Sequence, residues 1–415
     1  MDDEIVGFPH KDFEKSVGNY TQIMIADGNT ESSEEALVDR FIDYLNRASS
    51  YIKKWLIQNN DKQFQEIILE KLKLENASLI ESSTHCIYCR KLLPENPDER
   101  CLDHCHLTRK ARGMACKVCN LKARGSYANF KLLTYFHNFS GYDSSFIVRY
   151  MKNKYCGDET RRSDIWKVRM NGEKMHQLKT NLLEFRDSYD IVPVGIGTLS
   201  SNLSKADMKN VSSLLWTGES VEKNMYPYSW VNGVERFREV NFPTIDKFTS
   251  LLHGKARQKD YEYSKKLYDV NCETFADWHE HYLEMDVLIL LDGLLFWQDS
   301  IHKLCEIDLL QCQSLPSCAK QSMLNFTRVE LEVITDPTMN NLFLDSVKGG
   351  LCVTSLRSYV VKDPTEESIR YFDIKSLYAT IQRNYRHPVG GYEYLQPVPS
   401  PDYLTKLALK YDEKT

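Results

Sequence analysis

The chain has 415 residues, 42% of them hydrophobic and 27% charged, with a formal net charge of −5. This composition supports a sizeable core, and the length suggests two or three domains. No membrane span or secretory leader is expected: the longest apolar run, Val287 to Leu291, stops at Asp292, and no basic stretch followed by an apolar one opens the chain.

Asn19 to Ala26 reads as a strand closed by the turn pair Asp27-Gly28. Ser32-x-x-Glu35 is a capping box opening a helix, with Leu37, Phe41, Leu45, Ala48, Ile52 and Leu56 on one face. A second helix is expected over 62–74. Residues 85–125 form a cysteine-rich module. Tyr135-Phe136 is a short strand leading into His137-Asn138-Phe139-Ser140-Gly141-Tyr142-Asp143. The region 151–180 is basic and unpatterned. Leu182 to Phe185 reads as a strand closing at Asp187-Ser188, and 224–271 as an irregular or partly helical connection. A long helix over 273–304 carries Phe275, Trp278, Tyr282, Met285, Ile289 and Leu294 on its apolar face. Gly349-Gly350 opens a β region, and Arg370 to Ile374 is a strand running into Ser376-Leu377-Tyr378. No internal repeat or low-complexity segment occurs.

Without an oxidising compartment, paired cysteines read as metal ligands. Cys86-x-x-Cys89 and Cys116-x-x-Cys119 are two such knuckles, and two thiolates on one tight turn reach the same Zn2+ ion. The gap between them holds Asp103-His104-Cys105-His106, and Asn120 follows the last cysteine. Carboxylate, imidazole and amide are the groups a metal-assisted nuclease needs. The net charge argues against nucleic acid, but Leu107 to Tyr142 contains no acidic residue and carries Arg109, Lys110, Arg112, Lys117, Lys122, Arg124 and Lys131. A local basic stripe can neutralise phosphates in an acidic protein; it can equally be a solvated loop.

The module resembles the phage endonuclease VII family of ββα-metal (His-Asn-His type) nucleases, which pairs two cysteine knuckles with Asp-His-Asp-His, Arg-Gly and a final Asn. The resemblance implies structural zinc on Cys86, Cys89, Cys116 and Cys119, catalytic Mg2+ on Asp103 and Asn120, and His104 as general base. His106 and Arg112-Gly113 also match; Cys105 stands where the family has Asp. The alternative is a finger that only grips DNA.

Two further motifs point to exonuclease chemistry, in which two-metal hydrolysis needs carboxylates from separate segments. They are Asn138-x-x-x-Tyr142-Asp143 and Tyr282-x-x-x-Asp286. Residues four apart share a helix face, so Tyr282 can orient a water while Asp286 holds a metal. In this order the two motifs resemble the second and third exonuclease motifs of family B DNA polymerases. Asp12-Phe13-Glu14 has the letters of the first motif, but polar His10-Lys11 make a poor buried strand before it.

Asp373-x-x-Ser376-Leu377-Tyr378 resembles motif A of the same family, with Ala379 in place of the usual Pro. That implies Asp373 as a ligand of the nucleotide's metal ions and Tyr378 as the gate against a 2′-OH, with Ser376 and Leu377 in the deoxynucleotide site. Lys348-Gly349-Gly350 stands where protein-primed members carry Tyr-x-Gly-Gly, with Val347 in place of the Tyr. Taken in order, with Phe185-x-Asp187-Ser188 and Tyr226-Pro227-Tyr228, the motifs resemble protein-primed polymerases of organellar, viral and Maverick/Polinton-type elements, whose exonuclease domain holds an endonuclease-VII-like finger.

The resulting expectation is an α/β protein. A ribonuclease-H-like exonuclease domain starts over 1–84, is interrupted by a zinc ββα (treble-clef-like) finger over 85–125, and resumes over 126–304. A connection and the start of a polymerase palm occupy 305–415. DNA, deoxynucleotides and a terminal priming protein are the implied partners, inside the cell, in the nucleus or wherever the element replicates. No Lys-rich motif B or Asp-Thr-Asp motif C follows motif A, so the chain is expected to be a fragment unable to polymerise alone. Two rival readings are a noncatalytic DNA-binding remnant and a structure-selective endonuclease acting through the finger.

Overall fold

The structure is a computed structural model. It describes residues 13, 34–59, 62–106, 108–123, 127–155, 165–216, 219, 224–249, 254, 256–347, 349, 352–354, 356–394 and 400–412. The strand expected over Asn19 to Ala26, Ser32 of the capping box, Asp12, Glu14, Lys348 and Gly350 lie outside these residues. The fold is mixed α/β and divides into two compact units, Met1–Cys318 and Ala319–Thr415.

The first unit is organised around a four-stranded sheet of order β3-β6-β5-β4. Its strands are β3 (Leu132–Phe136), β4 (Ile165–Asn171), β5 (Lys174–Thr180) and β6 (Leu183–Asp187). β3 and β6 are parallel; the other pairs are antiparallel. β6 is buried along its whole length, as expected of a strand covered on both faces. Leu183 and Phe185 enter the core beneath α1 (Glu34–Asn59) and α5 (Asp143–Tyr155), with Ile42, Leu45, Phe139, Ile147 and Tyr150. The alternate residues Glu184 and Arg186 pair with each other, and Arg186 also donates to the carbonyls of Leu310 and Cys312.

The hairpin of β4 and β5 occupies the segment that lacked a legible pattern. Its turn passes through Gly172 at φ 59, a left-handed conformation suited to glycine in a two-residue hairpin loop.

Between α1 and β3 a separate small core forms. It joins α2 (Lys62–Glu75), α3 (Ala77–Ser82), the antiparallel pair β1 (Arg100–His104) and β2 (Ala111–Cys116), and α4 (Lys117–Ala123). Leu72, Leu93, Leu102, Met114 and Ala115 are buried in it, with Ile68, Leu69 and Ile80 packed alongside. A Cβ on Gly113 would lie 2.7 Å from Ile87 Cγ2, so the glycine permits the cysteine turn to approach β2.

α6 (Ile196–Asn202), α7 (Gln258–Asn271) and α8 (Phe275–Cys305) complete the unit, which ends in the first turn of α9 (Leu315–Thr327), at the buried Cys318. α8 starts at a Thr274/Asp277 capping box and buries Phe275, Trp278, Tyr282, Met285, Ile289 and Leu294, the face expected from its spacing. Asp292, also buried, accepts from the backbone N–H groups of Asn210 and Val211 and from the Asn210 amide.

The second unit contains α10 (Pro337–Ser346), α11 (Leu377–Asn384) and α12 (Pro401–Asp412). Asp336 caps α10 by accepting from Thr338 N at 2.9 Å. The strand expected over 370–374 is not formed, and no strand follows Gly349 among the described residues. Tyr371 is 90% exposed and Phe372 83%. A strand needs a neighbour to take its N–H and C=O groups, and no described segment pairs with this one.

Trp278 is fully buried and donates Nε1 to the Met225 carbonyl at 3.2 Å. Trp278→Ala is expected to lower unfolding free energy by about 3–5 kcal/mol, read from urea denaturation; a loss under ~1 kcal/mol would contradict this packing.

Candidate functional site

Parallel β3 and β6 end level with each other, Phe136 paired with Asp187. Two loops leave the sheet at that point, and the Asp187 carboxylate collects their amides. Oδ1 accepts from Asn138 N and Tyr189 N, each at 3.0 Å, and Oδ2 accepts from Ser140 N at 2.9 Å. Ser188 Oγ donates to the Phe136 carbonyl and lies 3.0 Å from His137 Nδ1. Asn138 adopts φ 65, and a Cβ on Gly141 would sit 2.7 Å from Asn138 Oδ1. The tight loop delivers Asp143 as the first residue of α5. Burial raises the Asp143 carboxyl above the usual carboxylate range, and the negative charge of Asp187 adds to the shift. A cation would relieve both effects, so this carboxylate suits a metal ligand.

His176, Asp187 and Asp190 also cluster, with potential ligand atoms within 4.8 Å of one another. The three amides already occupy Asp187, while Asp190 holds His176 Nδ1 at 2.8 Å and Arg169. Both carboxylates are thus already engaged by protein partners.

On α8, Tyr282 and Asp286 stand one turn apart, and the Asp286 carboxylate acts electrostatically on the phenol. The Tyr282 hydroxyl lies 2.6 Å from the Tyr228 hydroxyl. Tyr226 stacks on the Tyr282 ring, centroids 4.6 Å apart, and its hydroxyl meets His279 Nδ1 at 2.6 Å. Burial, then the charge of Asp286, pushes the Tyr282 phenol far above its ordinary range. It therefore stays protonated at working pH and can donate a hydrogen bond. Burial also raises Tyr226 to about 12 and lowers His279.

In the cysteine module, the Sγ atoms of Cys86, Cys89, Cys116 and Cys119 lie within 4.8 Å of one another. Burial opposes a thiolate at Cys86, but the N–H groups of Cys89, Cys116 and Tyr88 outweigh it and bring the thiol to about 6. Four thiols so close, one of them held as thiolate by N–H donors, fit a tetrahedral cation. Asp103, on β1, accepts from Tyr88 Oη at 2.6 Å and Arg112 Nη1 at 3.3 Å. His104 is buried, with Nε2 3.2 Å from Gln65 Oε1 and its ring 4.9 Å from that of His106. Asn120 follows Cys119 on α4, half-buried.

In the second unit, Asp373, Ile374, Ser376, Leu377, Tyr378 and Ala379 line an open cavity of about 640 Å³. Ser376 turns the backbone at φ 56 into α11, and Tyr378 projects from its first turn, largely exposed.

The structure thus places Asp143 beside Asp187, Asp286 beside Tyr282, and the four knuckle cysteines together. Sequence reasoning did not find the Tyr228–Tyr282 contact or the amide-collecting role of Asp187. The only signal was the presence of Tyr226-Pro227-Tyr228 and Asp187-Ser188 in the motif order.

A family model described as DNA polymerase type B, organellar and viral, matches residues 125–409, well over half of the chain. The chain belongs to that family. A second model, recombination endonuclease VII, matches residues 65–140. A probable DNA polymerase of Ascobolus immersus is 24% identical over 259 residues, covering 62% of this chain and 20% of that one. A probable DNA polymerase of Neurospora intermedia is 23% identical over 275 residues, 65% of this chain and 26% of its own. One of Podospora anserina is 22% identical over 281 residues, 60% and 22%. The chain therefore spans between a fifth and about a quarter of the length of these relatives. No solved structure matches it significantly.

Asp187→Ala would leave buried amides without an acceptor. It is expected to destabilise the first unit by about 2–4 kcal/mol and to speed hydrogen exchange at Asn138 and Ser140. Unchanged exchange there would contradict the assigned role.

Proposed function

We propose that the chain supplies the 3′–5′ exonuclease domain and the beginning of the palm of a DNA-directed, protein-primed DNA polymerase. The observation that carries this reading is the buried Tyr282, one helical turn from Asp286 on α8, within a family match that also contains Asp143 and Asp373. The sheet and its helices are read as the ribonuclease-H-like domain. The finger is read as an insertion that includes α2 and α3, since their apolar residues share its core, rather than one beginning at residue 85.

Asp143 and Asp286 would hold Mg2+, which when bound stabilises the charge developing on a scissile phosphate. Tyr282, kept protonated by burial, donates its hydrogen to orient the attacking water or a phosphate oxygen. Accepting from the Tyr228 hydroxyl fixes the direction of that phenol and leaves its own hydrogen for the substrate. In the palm, Asp373 would hold the nucleotide's metal ions, Ser376 and Leu377 would border the triphosphate, and Tyr378 would pack against the deoxyribose. Cys86, Cys89, Cys116 and Cys119 would hold structural Zn2+. Partners on this reading are DNA, deoxynucleotides and a terminal priming protein, at the place where the element replicates.

The finger is read as gripping DNA rather than cutting it. Asp103, the expected Mg2+ ligand, already faces Arg112 and Tyr88, and the expected base His104 is buried on Gln65.

The purified chain with Mg2+ or Mn2+ is expected to release mononucleotides from a 3′-labelled single strand. Asp143→Ala and Asp286→Ala should each slow release by about a hundredfold or more, the order expected for losing one group that stabilises transition-state charge. His104→Ala should leave the rate unchanged. Absence of release from the unaltered chain would refute the exonuclease reading, and junction cleavage lost in His104→Ala would favour the endonuclease.

Metal analysis should find one equivalent of zinc, lost in Cys116→Ser. Replacing Lys117 and Lys122 by Ala should reduce the slope of log affinity against log salt for single-stranded DNA by about 0.7 per lysine if both touch phosphate. A zinc-free native chain would refute the finger assignment.

A further inference from the structure

One buried carboxylate–imidazole pair, Glu219 with His281 of α8, has no part in the chemistry above. His281 Nε2 lies 2.9 and 3.1 Å from the two carboxylate oxygens of Glu219. The Glu219 side chain is 0% exposed and that of His281 6%. The remaining capacity of the carboxylate is filled by Trp216 N at 2.9 Å and Asn224 Nδ2 at 2.6 Å. The Trp216 ring covers the imidazole face to face, with centroids 3.6 Å apart and planes 13° apart.

Burying a carboxylate with its hydrogen-bonding partner commonly costs as much as their attraction returns, so such a pair is weak evidence for stability and better suited to fixing one arrangement. Its location indicates which arrangement. Asn224 leads directly into Met225, whose carbonyl takes Trp278 Nε1, and then into Tyr226-Pro227-Tyr228. Tyr226 stacks on Tyr282, and Tyr228 reaches the Tyr282 hydroxyl. His281 immediately precedes Tyr282 on α8. One end of the clasp therefore anchors the segment that carries Tyr228, and the other is the backbone neighbour of the phenol that Tyr228 meets.

We propose that Glu219 and His281 are positioning residues, a buried clasp that seats Tyr226-Pro227-Tyr228 against Tyr282 and so sets the direction of the Tyr282 hydroxyl. The consequence for hydrolysis rests on the exonuclease reading above; the seating itself does not. Burial pushes the Glu219 carboxyl up, but the His281 imidazole, the Trp216 amide and the Asn224 side chain outweigh it and hold it below the usual carboxylate range. The carboxylate stays ionised, so removing its partner leaves a buried charge unpaired.

The test uses the full chain and four variants: His281→Gln, Tyr228→Phe, their combination, and Glu219→Gln with His281→Gln. Hydrogen exchange is followed at Trp230 and Val231, whose amides bond to the Pro227 carbonyl. Exchange there should rise in His281→Gln and return towards the original rate when Glu219→Gln removes the stranded charge. Hydrolysis of a 3′-labelled oligonucleotide should show kcat down roughly tenfold in His281→Gln, the order of a lost orienting contact, with KM little changed. Tyr228→Phe should lose a similar factor, and the combined variant little more, because both act through one contact. Unaltered exchange in His281→Gln overturns the clasp. Additive losses in kcat, or a loss confined to KM, overturn its action through Tyr228. If the unaltered chain does not hydrolyse the oligonucleotide, the exonuclease reading fails, and exchange alone decides the clasp.

Discussion

The geometry of the first unit depends on one carboxylate. Two parallel strands ending side by side release two loops at the same level, and the first amides of those loops have no partner in the sheet. Asp187 is an acceptor-only group with two oxygens, and it is buried where those amides converge. It thereby fixes the loop that carries Asn138 and Gly141 and sets where α5 begins. The same charge acts on Asp143, whose ionisation it opposes. One residue shapes the corner and also makes it receptive to a cation.

The parts legible in the sequence are those whose cause is local. α1 and α8 declare themselves through apolar residues at helical spacing, and the cysteine knuckles through the reach of two thiolates on one turn. Tyr282 and Asp286 are readable as a pair because four residues make one helical turn. Tyr228 was not readable as the partner of Tyr282, nor Glu219 as that of His281, because these contacts arise only when the connection folds back onto α8. The β4–β5 hairpin escaped notice for a different reason. Its strands carry lysine and arginine, and β4 lies at the sheet edge, where charged side chains remain in water and no apolar alternation is needed. The orientation of Asp103 was likewise hidden. It depends on the irregular register between Asp103 and His104, where β1 and β2 fall out of step.

The second unit illustrates the limit of propensity. Arg370 to Ile374 has the composition of a strand, yet the segment forms no regular structure and leaves Phe372 in solvent. A helix completes its hydrogen bonds within its own sequence, as α11 does a few residues later. A strand is a relation between two segments, and the second is not supplied within this unit's described residues.

The small core around the cysteines has a consequence for the rest of the first unit. Its apolar residues are its own, from Ile68 to Cys119, and the turn at Tyr127–Asn129 that follows it packs back against α1. The sheet beneath α1 and α5 takes no buried residue from it. A body built this way packs as a unit of its own, so its interior can change without disturbing the residues buried beneath α1 and α5.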